Sequence, residues 1–292
     1  MRKAWKSSTL VVALSQVGGT LQAQVPTTPE QIQALLRDVI RNHRKQASQF
    51  TEYTADRTVT CRDVDWKGTP VYETSVSEHY QSWNRNLDVI LSRNGKPRSE
   101  SQIQRDREEA ARFMEVDMKE KPQSLEAEGP EYASHKGAFS MSIYRIYRNA
   151  IFSNPRMEML DGRPTIVMDF APGKTATSAD IAPVNRLSGS VWIDAADRIT
   201  AKLTARVAPA FAESAKPPIN PARKNEPVYV QVFTRLKDGV WLGSYTRLNP
   251  STYPKYFSDE TYDWVVESGN YRRFGAEPAV LKPMDRKTRI QS

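Results

Sequence analysis

The sequence predicts an α+β chain that is mostly antiparallel β-sheet, and three observations predict it. Residues 187–207 alternate apolar and polar side chains with period 2 through two successive runs. Asp161-Gly162 and Asp238-Gly239 each separate two strand-like runs, the strongest short hairpin signal a sequence carries. Thr28-Pro29-Glu30-Gln31 and Ser99-Glu100-Ser101-Gln102 have the capping-box form and add helices to the sheet. At 292 residues, with 26% charged and 39% hydrophobic, the chain can bury a core as one large β domain or two small ones.

The chain opens on Arg2, Lys3 and Lys6, a mostly apolar stretch at 10–17, and Leu21-Gln22-Ala23. That order reads as a secretory signal peptide over residues 1–23. No cysteine lies near the cleavage point, so the expectation is a soluble periplasmic protein that is exported and not lipid-anchored. The formal charge of +8 includes the three leader residues, and cleavage leaves 8 − 3 = +5. Such a balance suits an anionic membrane surface as well as plain solubility. The single cysteine, Cys61, excludes a disulfide framework within one chain.

In the first helix Ile32, Leu35, Leu36, Val39 and Ile40 share one face, and Arg37, Arg41 and Arg44 line another. Strand-like runs follow at 53–61 and 71–83, then at 88–92, before the breaker-rich turn Arg93-Asn94-Gly95-Lys96-Pro97. The second capping box starts a helix running to about Val116. Residues 119–136 read as a long polar loop, and 138–147 leave helix and strand both open. Hairpins then succeed one another: 156–160 with 164–170, 187–194 with 199–207, 229–236 with 240–248, and a last strand or pair within 262–274. Residues 208–227 are a Pro- and Lys-containing excursion, and 281–292 a basic tail, leaving one domain at 24–280.

Strand parity supplies the candidate site. Val228, Val230, Val232 and Leu236 share one face, with Val240 and Leu242 able to pair with them, while Tyr229, Phe233, Trp241 and Tyr245 share the other. Trp192 projects from the polar phase of its own strand. A sheet with water on one side would carry polar residues there, so both faces are expected to be covered. A cavity for an apolar ligand and a second packed layer both satisfy that requirement.

Chemical motifs fail on inspection. His43, His79 and His135 are dispersed, with no metal-ligand spacing, so no metal and no cofactor is expected. Gly173-Lys174-Thr175 lacks the first glycine of a phosphate loop, and Ser190 lacks the strand-turn-helix elbow of a hydrolase nucleophile. Asp259 and Glu260 are adjacent, so on a strand they would point apart. Arg272-Arg273 beside Tyr271 has no RNA-reading strand motif around it, and no nucleic-acid partner is expected. The sequence reads as a non-enzyme.

The order of turn and strand motifs carries a resemblance. It runs from Asn94-Gly95-Lys96-Pro97 and Leu160-Asp161-Gly162-Arg163-Pro164 through residues 187–194 and Asp238-Gly239-Val240-Trp241-Leu242 to Asn270-Tyr271-Arg272-Arg273-Phe274. This resembles the LolA/LolB-like exported bacterial proteins, the outer-membrane lipoprotein-sorting group, in an acidobacterial-type branch, from about Tyr53 to Phe274. The resemblance implies a curved meander forming an incomplete barrel, with helices covering its open concave side. It also implies a carrier that holds a lipid or lipoprotein acyl chain in that concavity. The alternative is a non-catalytic interaction or sensor protein binding another envelope protein. No ligand-contacting residue carries over, so Tyr229, Phe233, Trp241, Tyr245 and Trp192 rest on parity alone. Arg235 and Lys237 are expected to charge an exposed strand edge.

Overall fold

Turn chemistry and capping decide where the elements begin and end. The structure, a computed structural model, describes residues 25–50, 53–64, 70–81, 86–119, 143–173, 183–212, 227–249 and 263–273. The leader, the loop expected at 119–136 beyond its first residue, most of the 208–227 excursion, Asp259-Glu260 and the basic tail lie outside them.

Helix α1 (Pro29–Phe50) opens on a reciprocal cap. The Gln31 amide donates to Thr28 Oγ1 at 3.3 Å, and the Thr28 amide donates back to Gln31 Oε1 at 3.2 Å. Strands β1 (Tyr53–Val64), β2 (Pro70–Gln81), β3 (Asn86–Arg93) and β4 (Lys96–Pro97) follow, then α2 (Glu100–Lys119). Of the ambiguous stretch 138–147, the described residues 143–147 lie in helix α3 (Ile143–Asn149), and 138–142 lie outside the described residues. Strands β5 (Ile151–Leu160), β6 (Arg163–Ala171), β7 (Leu187–Asp194) and β8 (Thr200–Val207) come next. The short helix α4 (Pro209–Ala212) and strands β9 (Tyr229–Arg235), β10 (Trp241–Leu248) and β11 (Asp263–Arg273) complete the described chain. At Asp161-Gly162 both φ angles are positive, 50° and 76°, the mirror-image turn that matches strand twist. Asn94-Gly95 repeats it with 49° and 74°.

All eleven strands form one open antiparallel sheet in the order β4-β3-β2-β1-β11-β10-β9-β8-β7-β6-β5. The sheet is therefore two meanders, β1–β4 and β5–β11, joined where β1 pairs with β11, from Tyr53 opposite Arg273 to Arg62 opposite Asp263. It does not close, and the result is a curved half-barrel. Its free edges are β4 and β5, so Arg235 guards no edge: β9 is interior and the Arg235 guanidinium is bound to Asp197 at 2.6 Å. Edge β5 carries its own protection in Pro155, a bulge between Ser153 and Arg156, and the pair Arg156–Glu158.

Helices cover opposite faces at opposite ends. On the inner face, Leu35, Leu36 and Val39 of α1 and Ile143, Ile146 and Tyr147 of α3 pack on Ile166, Met168, Leu187, Val191, Leu203 and Leu248. On the outer face, Ile103, Ala110 and Met114 of α2 pack on Tyr80 and Val89. The Arg107 guanidinium of α2 grips the Glu78 carboxylate of β2 through Nε at 2.9 Å and Nη2 at 2.6 Å, with both side chains about nine-tenths buried. Burial acts to raise the Glu78 carboxyl, but the bonds from Arg107 outweigh it and hold the group below its ordinary range. Glu78→Ala is expected to leave the buried Arg107 guanidinium with the longer pair to exposed Glu100 at 3.6 Å in place of the two-bond grip, and to cost about 3 kcal/mol, read as a lowered urea midpoint. A midpoint unchanged from the parent chain would mean the pair does not hold α2 to the sheet.

Candidate binding site

The inner face is filled at one end and hollow at the other. Over β6–β8 and the Tyr229 and Leu248 ends of β9 and β10, the side chains of α1 and α3 pack on the sheet. Beyond the end of that helical layer, a cavity of about 250 Å³ runs over β2, β1, β11, β10 and β9. That volume lies just under the roughly 300–1,000 Å³ typical of small-molecule pockets. Register fixes who faces it. Residues directly opposite in a ladder share a face, so Leu203, Gln231, Thr246, Val266 and Val59 form one inner row. Ala55, Arg57 and His79 therefore face inward at the β1–β2 end, and Phe233 and Gly243 at the β9–β10 end.

Of the five candidates, three fall on the inner face and one lines the cavity. Phe233 is that one, and its ring also meets the His43 ring of α1 edge-on at 5.8 Å. Tyr229 is buried in the core under the helices and donates its hydroxyl to Gln231 Oε1 at 2.8 Å. Trp241 packs with Ile199 and Ala201, donating Nε1–H to Asp197 at 2.9 Å and its amide to Gln46 Oε1 of α1 at 3.1 Å. Tyr245 stands on the outer face, because a bulge between Gly243 and Tyr245 reverses the phase of β10. Trp192 is outer as well, opposite Lys202, whose ammonium lies 4.8 Å from the indole, with its Nε1–H on Glu158 at 3.0 Å.

The α1 wall of the site is fixed by a buried polar chain. The Thr200 amide donates to His43 Nε2 at 3.1 Å, so that nitrogen carries the lone pair and the ring is neutral with its proton on Nδ1. The Thr200 hydroxyl can then donate to the same nitrogen at 2.8 Å and accept from Tyr147 at 2.5 Å, tying α1, β8 and α3 together. The turn between β7 and β8 adds a second tie. Asp194 accepts the amides of Ala196 and Asp197 at 3.1 and 2.8 Å and takes Arg163 in a two-bond grip, while Asn42 of α1 donates to the Asp197 carbonyl.

The opposite wall is more polar than the parity argument expected. His79 donates from Nδ1 to Asp88 at 3.0 Å, and Ser77 donates to the same oxygen at 3.2 Å. Arg57 reaches the other Asp88 oxygen at 3.5 Å. Burial pushes the His79 imidazole below its ordinary value and the Arg57 charge adds to this, so the ring is neutral near pH 7. Burial acts to raise Asp88, yet His79, Arg57 and Ser77 together hold it low and ionised. At the rim, Tyr53 donates to Asp238 at 2.5 Å, and the Tyr271 hydroxyl donates to the Gly243 carbonyl. A second hollow of about 230 Å³ lies between the start of α1 and the β6–β7 end, lined by Val25, Pro26, Ala34, Leu35, Ile166 and Ala195 among others. Among the described residues no group of His, Cys, Asp or Glu is arranged to hold a metal ion, and no helix is long and apolar enough to cross a membrane.

No family model matches the chain, and no curated protein matches it. Solved structures do. An outer-membrane lipoprotein-sorting-type domain from Vibrio parahaemolyticus is similar at 10% identity and TM-score 0.36, covering 84% of this chain and 94% of its own. A DUF1329 family protein from Desulfovibrio piger is similar at 11% identity and TM-score 0.36, covering 86% and 95%. A LolA superfamily protein from Nitrosomonas europaea is similar at 6% identity and TM-score 0.31, covering 81% and 92%. What this protein holds is therefore read from its own residues.

The buried His43 imidazole is pushed down to about 4 from 6.5 by desolvation. The unfolded chain takes up that proton below about 6.5 and the folded chain not until about 4, so stability is full above 6.5 and falls with pH across that window. The loss from this group is about 3 kcal/mol at its limit. Urea midpoints measured from pH 7 to pH 4 should fall more steeply for the parent than for His43→Gln, which cannot titrate. Parallel slopes would remove His43 as the source.

Proposed function

We propose that the protein is an exported binding protein that carries a lipid or lipidated partner, with one apolar chain held in the inner-face cavity between β1 and β9. The observation that supports this reading is the unequal filling of a single face. The inner side of β6–β8, with the Tyr229 and Leu248 ends of β9 and β10, is packed by α1 and α3, while the rest of the inner side over β9, β10, β11 and β1 keeps about 250 Å³ open against Phe233, Val266 and Ala55. Each methylene buried there contributes about 0.8 kcal/mol, so a chain of a dozen gives on the order of 10 kcal/mol before the ordering costs of binding. A chain of that kind has no need of catalytic groups around it, and the protein acts by binding.

A second reading, a scaffold that binds another envelope protein, is favoured by the packed half alone. There Leu35, Leu36 and Val39 of α1 and Ile143, Ile146 and Tyr147 of α3 are buried against the sheet. The two readings divide on whether anything enters the hollow half.

Native mass spectrometry of the mature chain, taken from a periplasmic extract without detergent, decides between them. Adducts at acyl-lipid masses, removed by organic extraction, are expected. A single clean mass from a folded chain would favour the protein-binding scaffold. Gly243→Leu gives the site-specific form of the experiment. A Cβ built on Gly243 meets nothing within 4 Å, and Gly243 lines the cavity, so a leucine there fills the space at small cost to the fold. Adducts should be lost by Gly243→Leu and by Phe233→Asp while the circular dichroism of the sheet is kept; retention of lipid by folded Gly243→Leu would exclude this cavity. Trp241 is unsuited to such a substitution, because its side chain and amide hold the β7–β8 turn and α1 in place.

A further inference from the structure

Arg57 is out of phase with its surroundings. The inner positions of β1 are Tyr53, Ala55, Arg57 and Val59, so one guanidinium interrupts an otherwise largely apolar row. A guanidinium has five N–H donors, no acceptor, and a charge it does not give up. Here the side chain is 23% exposed, lines the cavity, and makes one long ion pair, 3.5 Å from Nη1 to Asp88. Its Nε is buried and has no hydrogen-bond partner among the described residues. Asp88 is shared: its other oxygen already accepts from Ser77 and His79. The neutral His79 ring adds no negative charge. Burial accordingly weakens the hold of Arg57 on its proton, with Asp88 compensating in part.

A charge taken from water and short of acceptors is costly until acceptors are supplied. The cavity is where they can come from. Resting on the reading that this space holds an apolar chain, we propose that its occupant is an anionic single-chain amphiphile, with a carboxylate or phosphate head on Arg57 and its chain running across Val266 to Phe233. The head lies over β1 and β11, beside Ser268, which is directly opposite Arg57 in the β1–β11 ladder. The fork of a guanidinium matches two oxygens of a carboxylate or phosphate, which no hydroxyl head can supply. The tail meets the β9–β11 end, where Phe233, Leu242, Gly243 and Val266 line the space together with Gln231 and Thr246.

The experiment is titration calorimetry of the full mature chain, stripped of lipid by organic extraction and refolded, with dodecanoate, dodecyl phosphate and dodecan-1-ol. The two anions should bind about tenfold or more tighter than the alcohol, the scale of a charge-assisted hydrogen-bonded contact. Arg57→Gln should bring the anions down to the level of the alcohol and leave the alcohol unchanged. Ser268→Asp, which places a carboxylate opposite Arg57, should discriminate against the anions in the same way with the guanidinium still present, so a poorly folding Arg57→Gln does not decide the matter. A preference for one anion alone also supports the assignment and names the head. Equal affinity of alcohol and anions for the parent chain overturns the head assignment and leaves the apolar-chain reading standing. Binding of none of the three overturns both.

Discussion

The fold depends on covering the inner face of β6–β8 and the adjoining ends of β9 and β10, and α1 is the main cover. A sheet that is apolar on its concave side cannot stand open to water across five strands, because each buried Leu, Ile or Val is worth about 1.5–3 kcal/mol and is lost on exposure. Leu35, Leu36 and Val39 meet that need, with α3 beside them. Burial alone would let the helix slide. The chain Tyr147–Thr200–His43 and the contacts of Asn42 and Gln46 to residues 197 and 241 set its position along the sheet. Those bonds are directional and sealed from water, so a displaced helix would leave several buried polar atoms unpaired.

Where α1 stops, the cavity starts. Phe233 is the boundary, touching His43 on one side and open space on the other. The remaining half of the inner face stays uncovered by α2, which lies on the outer side, held there by Tyr80, Val89 and the Glu78–Arg107 pair. The hollow is thus a consequence of helix placement. Among the described residues α1 and α3 serve one face at one end, α2 serves the other face at the other end, and the β1–β11 junction lies between them under the cavity.

Much of this was legible in the sequence, and the limits have identifiable causes. Capping boxes and Asp-Gly or Asn-Gly turns are local, so α1, α2 and the hairpins could be read directly. Parity put Tyr229, Phe233 and Trp241 on one face because β9 runs without interruption from 229 to 235. It placed Tyr245 with them, and the bulge beyond Gly243 reversed that residue; no local signal but the glycine itself marks the spot. The β1–β11 pairing joins positions about two hundred residues apart and has no trace in any short window, so the edges could not be placed and Arg235 was given a task that belongs to β5. The residue that matters most for the hollow half carries a local signal of its own. Arg57 sits on the inner phase of Tyr53, Ala55 and Val59, and a lone charge in an apolar phase is informative because it must be matched by something.

That something need not be protein. Asp88 alone would be a tight partner for Arg57 if it were not also holding Ser77 and His79, and sharing one carboxylate among three donors leaves the guanidinium with its bonds unmade. A filled interior would have removed the cost by replacing the arginine or by adding a second acid. Instead the sheet keeps both a space and a charge facing it. A ligand supplying acceptors and methylenes together removes both deficits at once, and by mass action it stabilises the folded chain in proportion to its occupancy. The same two deficits that weaken the empty half are therefore the ones that would make it select an amphiphile over a plain hydrocarbon.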